Sequence, residues 1–448
     1  MKKLLLLPLF SMLYFISQAQ DQWDLKKCVE YAVSNNISVK QADVQARLTE
    51  LNLKQFQLSQ IPTLFFGGNL GYSSGRSQDP ATFALITTGL WSNQYFLQTN
   101  VTLFNFNNLR KNIEGSKYAY EAANANTDKL RNDISLNVAN AYLQVLLSIQ
   151  QSNTAQLQVQ FSQSQLDITR KQVNAGTLPE LNAAEIESQL AQDSSAYVTA
   201  RSTVSQNILQ LKAYMSLDAS VPFVIDTPNV QKIPIDNIAD LDPAAVYMLA
   251  LQNQPQQKAD ALLLKSQERF VAANKAAMLP SISLGGQFYT TYTNQTYNIT
   301  NAGGLEKVPY FSQLNQNFRQ SISLGLNVPI LNGGLYKTNY ERAKLNYKNY
   351  DLQQQGDNLA LKQNIYQAYN LAIAALQKFE ASKQAVSATQ RSFDYAQKRY
   401  NVGLLNTIDL LTNQNNYFKA KNDLIYSQFD FVFKMKVLEF YKGMGIKL

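Results

Sequence analysis

The sequence predicts a mostly α-helical fold with a membrane β-barrel portion, built as an internal duplication of long helical hairpins and strand pairs. Three observations carry this reading. Residues 116–175 run for about sixty positions without Gly or Pro, the residues that most reliably interrupt helices. The same grammar returns later: Ala141-Tyr142 and Ala368-Tyr369 stand 227 residues apart, as do Gly176 and Gly403. Four short runs, two in each half, alternate apolar and polar residues with the period of a strand.

Lys2-Lys3, an apolar run over residues 4–16 and the end Ser17-Gln18-Ala19-Gln20 have the pattern of a secretory signal peptide cleaved near Gln20. That run is too short to read as a membrane helix, and no later stretch stays apolar for eighteen residues. The expected mature chain keeps 38 of the 40 basic residues against 32 acidic ones, a net charge of +6. Its basic residues are scattered, which reads as solvated surface and argues against nucleic acid as a partner. Charged residues make up 16% of the chain, where about 25% is usual. Gln, Asn, Ala and Ser crowd the long runs instead, so such helices pack through narrow seams.

Cys28 is the only cysteine and cannot form an internal disulfide. Asp24-Leu25-Lys26-Lys27 before it is no lipoprotein signal, and a half-buried place on a short helix is expected. The chain has no histidine, which excludes Ser-His-Asp and Cys-His nucleophile pairs and His-bearing zinc sites. No paired acid motif supports a carboxylate-based hydrolase. The expectation is a protein without enzymatic activity, cofactor or metal.

In chain order, residues 21–221 form the first expected repeat. A short helix lies near residues 23–34, and Asn35-Asn36 breaks it before a longer helix that runs to about Gln60. Pro62 changes the grammar: Leu64, Phe66, Leu70 and Tyr72 alternate with polar residues, giving a strand over about 63–73. Residues 74–93 read as a polar loop, and Tyr95, Leu97, Val101 and Leu103 mark a second strand over about 95–104. The helical hairpin then occupies about 106–221. Its first arm stops at Asn174-Ala175-Gly176; Thr177 is expected to cap the second, with Pro179 in its first turn and Glu180 completing a capping box.

Residues 222–241, with Pro222, Pro228 and Pro234, form an expected linker, and residues 242–448 repeat the order. Helices are expected over 242–254 and 256–278, strands over about 281–292 and 318–330 with a polar loop between them, and a hairpin over about 333–442. Gly333-Gly334 reads as a strand-to-helix turn and not a phosphate loop, since no Lys-Ser/Thr follows. On the last two helices Ile365, Ala368, Ala372, Ala375, Phe379, Val386, Phe393, Ala396 and Tyr400 share a three-four spacing. Ile408, Leu411, Phe418, Ile425, Phe429 and Val432 continue it, with Asn415 and Asn422 at seam positions.

Strands of this length and alternation suit a bilayer crossing, with Tyr72, Trp91, Tyr95, Tyr289, Tyr292 and Tyr297 as candidate interface aromatics. Four strands cannot close a membrane barrel, and open sheet edges are not tolerated in hydrocarbon, so several chains must share one. A secreted coiled-coil structural or adhesive rod is the alternative; it predicts solubility without detergent.

Further motifs are Val328-Pro329-Ile330-Leu331-Asn332-Gly333-Gly334, Arg399-Tyr400-Asn401-Val402-Gly403, Thr407-Ile408-Asp409-Leu410-Leu411 and Asn416-Tyr417-Phe418-Lys419-Ala420-Lys421. With the duplicated order of elements, they resemble the TolC family of outer-membrane channel proteins over nearly the whole mature chain. The resemblance implies a homotrimer with a twelve-stranded barrel in outer-membrane lipid and a helical tunnel across the periplasm. It implies passive export as the exit duct of a tripartite efflux pump or type I secretion system, with a periplasmic adaptor at the hairpin tips and an inner-membrane transporter beyond it. Gly176, Thr177, Gly403, Leu404 and Leu405 are the candidate tip residues. Asp409 matches a position where the family often places a carboxylate ring at the pore constriction. Thr412 replaces the acid that often follows three residues on, and Asn182 stands at the corresponding place in the first repeat. Asn406 is equally readable as an N-cap, with Asp409 in the first turn favouring the helix dipole, and the two roles are compatible.

Overall fold

The computed structural model describes residues 22–78, 83–228, 237–238, 241–300 and 303–443. The expected signal peptide lies outside the described residues, as do positions 229–236 and 239–240 of the expected linker. The first half runs α1 (Leu25–Asn35), α2 (Ile37–Leu58), β1 (Thr63–Gln78), β2 (Leu85–Phe104), α3 (Asn108–Asn174) and α4 (Glu180–Met215). The second runs α5 (Pro243–Asn253), α6 (Pro255–Ala276), β3 (Ser281–Thr293), the short β4 (Tyr297–Ile299) and β5 (Leu305–Lys307), α7 (Tyr310–Gln316), β6 (Arg319–Asn327), α8 (Leu335–Asn401) and α9 (Thr407–Lys442).

The halves match closely. α3 and α8 each have 67 residues, and α4 and α9 each have 36. Fifty-four residues separate the starts of β3 and α8, against forty-five for β1 and α3. The excess falls in the segment that holds β4, β5 and α7.

The strands depart from the sequence expectation in three places. β1 continues to Gln78 and β2 begins at Leu85, so most of the expected loop over 74–93 is paired strand, with Ser74 opposite Gly89 and Gly75 opposite Thr88. Gly and Ser hide the hydropathy alternation while their backbones still complete the ladder. The Tyr72 ring covers the face of Gly89, where a Cβ would come within 2.6 Å of its hydroxyl. β6 ends at Asn327, short of the expected 330, because Pro329 has no N–H to give a ladder. The expected polar loop before β6 contains the β4–β5 hairpin and α7. Buried Gln313 fixes α7: its Nε2 donates to the carbonyls of Thr293 (3.0 Å) and Val308 (2.9 Å), and its Oε1 accepts from the Thr293 N–H (3.0 Å).

Two compact units divide the chain. One holds the described residues of Met1–Gln41, Asp128–Gln254 and Leu359–Leu448; the other holds Ala42–Thr127 and Pro255–Asn358. In the first, Tyr142 is buried among Cys28, Val138 and Leu146, and its hydroxyl donates to the Asp226 carbonyl at 2.7 Å. Trp23 exchanges backbone hydrogen bonds with Val224 and Asp226. A second cluster packs Ala368, Ala372 and Ala375 of α8 near Met435 and Leu438 of α9, the small residues allowing close approach.

The expected seam slips at the start of α9. Ile408 is 63% exposed and Leu411 half-buried, while Thr407, Leu410 and Gln414 are buried. Back from Phe418 the buried positions step by four, four and three, following the 3.6-residue turn, where a strict heptad would step in sevens. No helix among the described residues is long and apolar enough to cross a membrane.

Cys28 is fully buried, where a half-buried place was expected, because its side of α1 faces the Tyr142 cluster. Burial, with a smaller push from the Asp24 charge, raises its thiol from 9.0 to about 12. The folded chain therefore keeps the proton that an unfolded thiol loses near pH 9, so this contribution to stability is whole below that pH and declines as pH rises from about 9 toward 12. The native protein should not react with a disulfide thiol reagent at pH 8, and guanidinium-unfolded protein should release one equivalent of chromophore. Prompt native reaction would contradict this burial.

Candidate functional site

The larger sheet has the order β1-β2-β3-β6, with every neighbour antiparallel. Residues directly opposite share a face, so the register sorts the side chains. Leu64, Phe66, Leu70 and Tyr72 lie with Trp91, Tyr95 and Leu97 of β2, Phe288 and Tyr292 of β3 and Ile322 and Leu324 of β6. Asn69, Gln94, Gln98, Asn100, Gln287, Ser321 and Ser323 occupy the other face.

The apolar face is open to its surroundings, with Leu64 72% and Ile322 85% exposed. From Leu64 to Tyr72 along β1 is about 26 Å at 3.3 Å per residue, which at a tilt of about 40° rises about 20 Å through the roughly 25 Å apolar band of outer-membrane barrels. Arg76 and Arg319 are the only charged residues in the four strands. Among the described residues, no strand pairs with the outer edge of β1 or of β6.

Most of the expected interface aromatics gather at one end of the apolar face. Tyr72 and Trp91 pack with ring centroids 4.8 Å apart, and Tyr292 meets Tyr310 of α7 at 4.6 Å. The Tyr95 and Tyr310 hydroxyls are 3.2 Å apart, and Asn93 Nδ2 donates to the same Tyr310 oxygen at 3.3 Å. Tyr289 is opposite Phe96 on the polar face, so parity separates it from Tyr292; Tyr297 lies in the small ribbon. Tyr310 was absorbed into the expected loop, and the short run Tyr310-Phe311 was the signal for it.

The two helical hairpins turn identically. At the end of α3 the Gly176 N–H donates to Val173 O and the Thr177 N–H to Gln172 O, each at 2.9 Å; after α8, Gly403 donates to Tyr400 O at 3.0 Å and Leu404 to Arg399 O at 2.8 Å. Gly176 and Gly403 have φ of 73° and 74°, the left-handed conformation this stop requires. Thr177 does not cap α4. Its hydroxyl donates back to Gln172 O at 2.8 Å, and Pro179 occupies the cap position without a side-chain bond, because the turn brings Thr177 against the last carbonyls of α3. Leu404 is 67% exposed, and half-buried Leu405 packs with Phe393, Tyr400 and Leu410.

At the start of α9, Asn406 is the N-cap and its Oδ1 accepts from the Asp409 N–H at 2.7 Å. Asp409 is exposed in the first turn, and no described residue bonds its carboxylate. The Thr412 hydroxyl donates to Ile408 O at 2.8 Å, while Asn182 is half-buried with its backbone N–H on Pro179 O.

A polar cluster joins α3, α4 and α9 in the first unit. Asp193 is 4% exposed and accepts from Ser162 Oγ (2.5 Å), Gln158 Nε2 (2.7 Å) and Gln189 Nε2 (2.7 Å). Gln414 Nε2 donates to Ser162 Oγ at 2.9 Å, and Asn415 Nδ2 donates to Gln189 Oε1 at 3.2 Å. Asn415 was the one member visible as a seam position. The recurrence of Gln158, Ser162 and Gln165 at helical spacing was an unused signal.

An amphipathic antiparallel sheet with open edges, set in a duplicated order of elements with two long antiparallel helical hairpins, is the construction of an outer-membrane channel subunit. The chain belongs to the outer membrane efflux protein family, which it matches over residues 29–216 and 246–428. It is 22% identical to the outer membrane protein TolC of Salmonella enteritidis over 453 residues, spanning 99% of this chain and 86% of that protein. Two solved structures share its fold at 17% identity. CusC superposes with a TM-score of 0.80 over 94% of this chain and 92% of its own, and the Campylobacter jejuni CmeC outer membrane channel with 0.77 over 94% and 86%. Family membership makes the chain an outer-membrane efflux protein and not an enzyme.

Replacing Asp193 with Ala removes the acceptor that buried Ser162 and Gln189 share with half-buried Gln158, a loss of about 1–3 kcal/mol. The variant's heat-denaturation midpoint, followed by circular dichroism at one heating rate, should fall below that of the parent. An unchanged midpoint would show that the cluster contributes no stability.

Proposed function

We propose that three copies of this chain form the exit duct of a tripartite efflux pump or type I secretion system, closing their sheets into one twelve-stranded barrel. The observation that carries the reading is the four-stranded sheet, apolar on one face, polar on the other and unpaired at both edges. Three such sheets joined edge to edge satisfy every ladder and turn the apolar faces to lipid, as hydrocarbon demands. Tyr72, Trp91, Tyr95 and Tyr292 then lie at a membrane interface, where amphipathic rings are favoured.

The hairpin ends are the docking surface for a periplasmic adaptor, which links the duct to an inner-membrane transporter. Gly176, Thr177, Gly403 and exposed Leu404 supply that surface, while Leu405 supports it from within. Asp409 serves two ends at once: its position in the first turn favours the helix dipole, and its uncommitted carboxylate in three copies makes an acidic ring at the constriction that attracts cations. Thr412 and Asn182 add no charge to that ring.

Purified protein in a planar bilayer tests the reading directly. It predicts discrete conductance steps and a requirement for detergent during purification; a protein soluble without detergent and silent in the bilayer would sink the duct. Asp409→Ala should shift the reversal potential in a salt gradient toward lower cation preference, or raise closed-state conductance. If both quantities stay at the parent values, Asp409 has no part in the constriction.

A further inference from the structure

We propose that Phe96, Tyr289 and Arg319 form a binding row for amphipathic organic anions on the polar face of the sheet. The inference rests on the duct reading, under which that face lines the channel. The register sets the row: Gly67 is opposite Phe96, Phe96 opposite Tyr289, and Tyr289 opposite Arg319. Neighbouring strands are about 4.8 Å apart, so Phe96 and Arg319 stand about 10 Å from one another across the wall, the reach of a fused-ring body with an acidic group at one end.

Phe96 and Arg319, the two ends of the row, are prepared for this use. Gly67 leaves space for the Phe96 ring to lie against the wall, since a Cβ there would come within 2.5 Å of a ring carbon. Phe65 on the same face extends the aromatic surface, its ring centroid 5.9 Å from that of Phe96. Arg319 is exposed, and no described residue bonds its guanidinium; the four strands contain no acid that could neutralise it. A free guanidinium takes carboxylate or sulfonate through paired N–H donors, and the rings take a flat apolar body by stacking.

A groove of about 290 Å³ on the polar face, lined by Gln98, Asn100, Gly285, Gln287, Ser321 and Ser323, lies beside the row and offers amide and hydroxyl partners to polar substituents. The rest of that face carries Gly, Ser, Thr, Asn and Gln together with the apolar Phe65, Ile86 and Leu90 and no other charged residue, so it gives neither sign of charge an advantage. The row therefore favours an aromatic or alicyclic anion over a cation of the same shape.

The test is equilibrium dialysis of the full protein in lipid nanodiscs against naphthalene-2-sulfonate and, separately, the cation 2-naphthylmethylammonium, each measured against empty nanodiscs. Saturable sulfonate binding in excess over the ammonium is expected. Arg319→Gln should weaken sulfonate binding by about tenfold, the size of a charge-assisted hydrogen bond, with Arg319→Lys recovering part of it. Phe96→Ser should weaken binding as well, and Arg76→Gln, on the apolar face, should leave it at the parent value. Equal sulfonate binding by the parent and Arg319→Gln, or equal binding of the two probes, overturns the inference. Conductance of the same preparations separates the two failures. Silent bilayers sink the duct reading, whereas conducting channels indifferent to the sulfonate sink only the binding row.

Discussion

The edges of β1 and β6, unpaired among the described residues, are the constraint on which the rest of the structure depends. Each edge presents a row of backbone donors and acceptors, and in hydrocarbon an unpaired group costs several kcal/mol with no water to replace the missing partner. The apolar face argues for hydrocarbon, since exposed Leu64 and Ile322 are unsuited to water on a wall of this extent. A sheet that needs lipid on one side cannot tolerate open ends there. Under the proposed edge-to-edge closure both demands are met, and the polar face, with its Asn, Gln and Ser side chains, lines a wet passage.

The helices meet a different demand, that of holding long antiparallel arms in register with little apolar mass. Alanines on α8 let α9 approach, and the buried carboxylate of Asp193 ties α3 to α4 through donors at defined positions. Such a cluster favours one register, because sliding α3 by a turn would take Ser162 and Gln158 off the Asp193 carboxylate. Identical glycine stops at Gly176 and Gly403 fix where each long arm ends. The duplication thus repeats a length and a turn, while the sheet draws its four strands from both halves.

Much of this was legible in the sequence because it depends on local rules. Runs nearly free of Gly and Pro marked the long helices, although α3 starts before Gly115, α8 continues through Gly356 and α4 stops at Met215, six residues short of the expected end; the prolines at 62 and 280 marked the switch to strand, and Asn406 announced its own cap. What could not be read depended on partners distant in the chain. The continuation of β1 past Ser73 is invisible in hydropathy because Gly and Ser carry no pattern; the opposing strand pairs them. Tyr289 was misplaced among interface aromatics because aromaticity carries no parity, and only the register with Phe96 shows which face it occupies. Thr177 has the chemistry of a cap, and the tight turn redirected it to Gln172. Asp193 reads as one more surface acid until α3 supplies Ser162 and Gln158. The glycine turns at 176 and 403 and the place of Asp409 in the first turn of α9 followed from local capping rules, whereas the aromatic row with Arg319 required the sheet.

Native mass spectrometry of the mature protein released from detergent micelles tests the central claim most directly. A sheet that closes only in company predicts one dominant species of three chains, with neither a stable single chain nor a series of growing oligomers. A lone chain as the dominant species, or an unbounded ladder of sizes, would show that these edges are not joined into a closed ring.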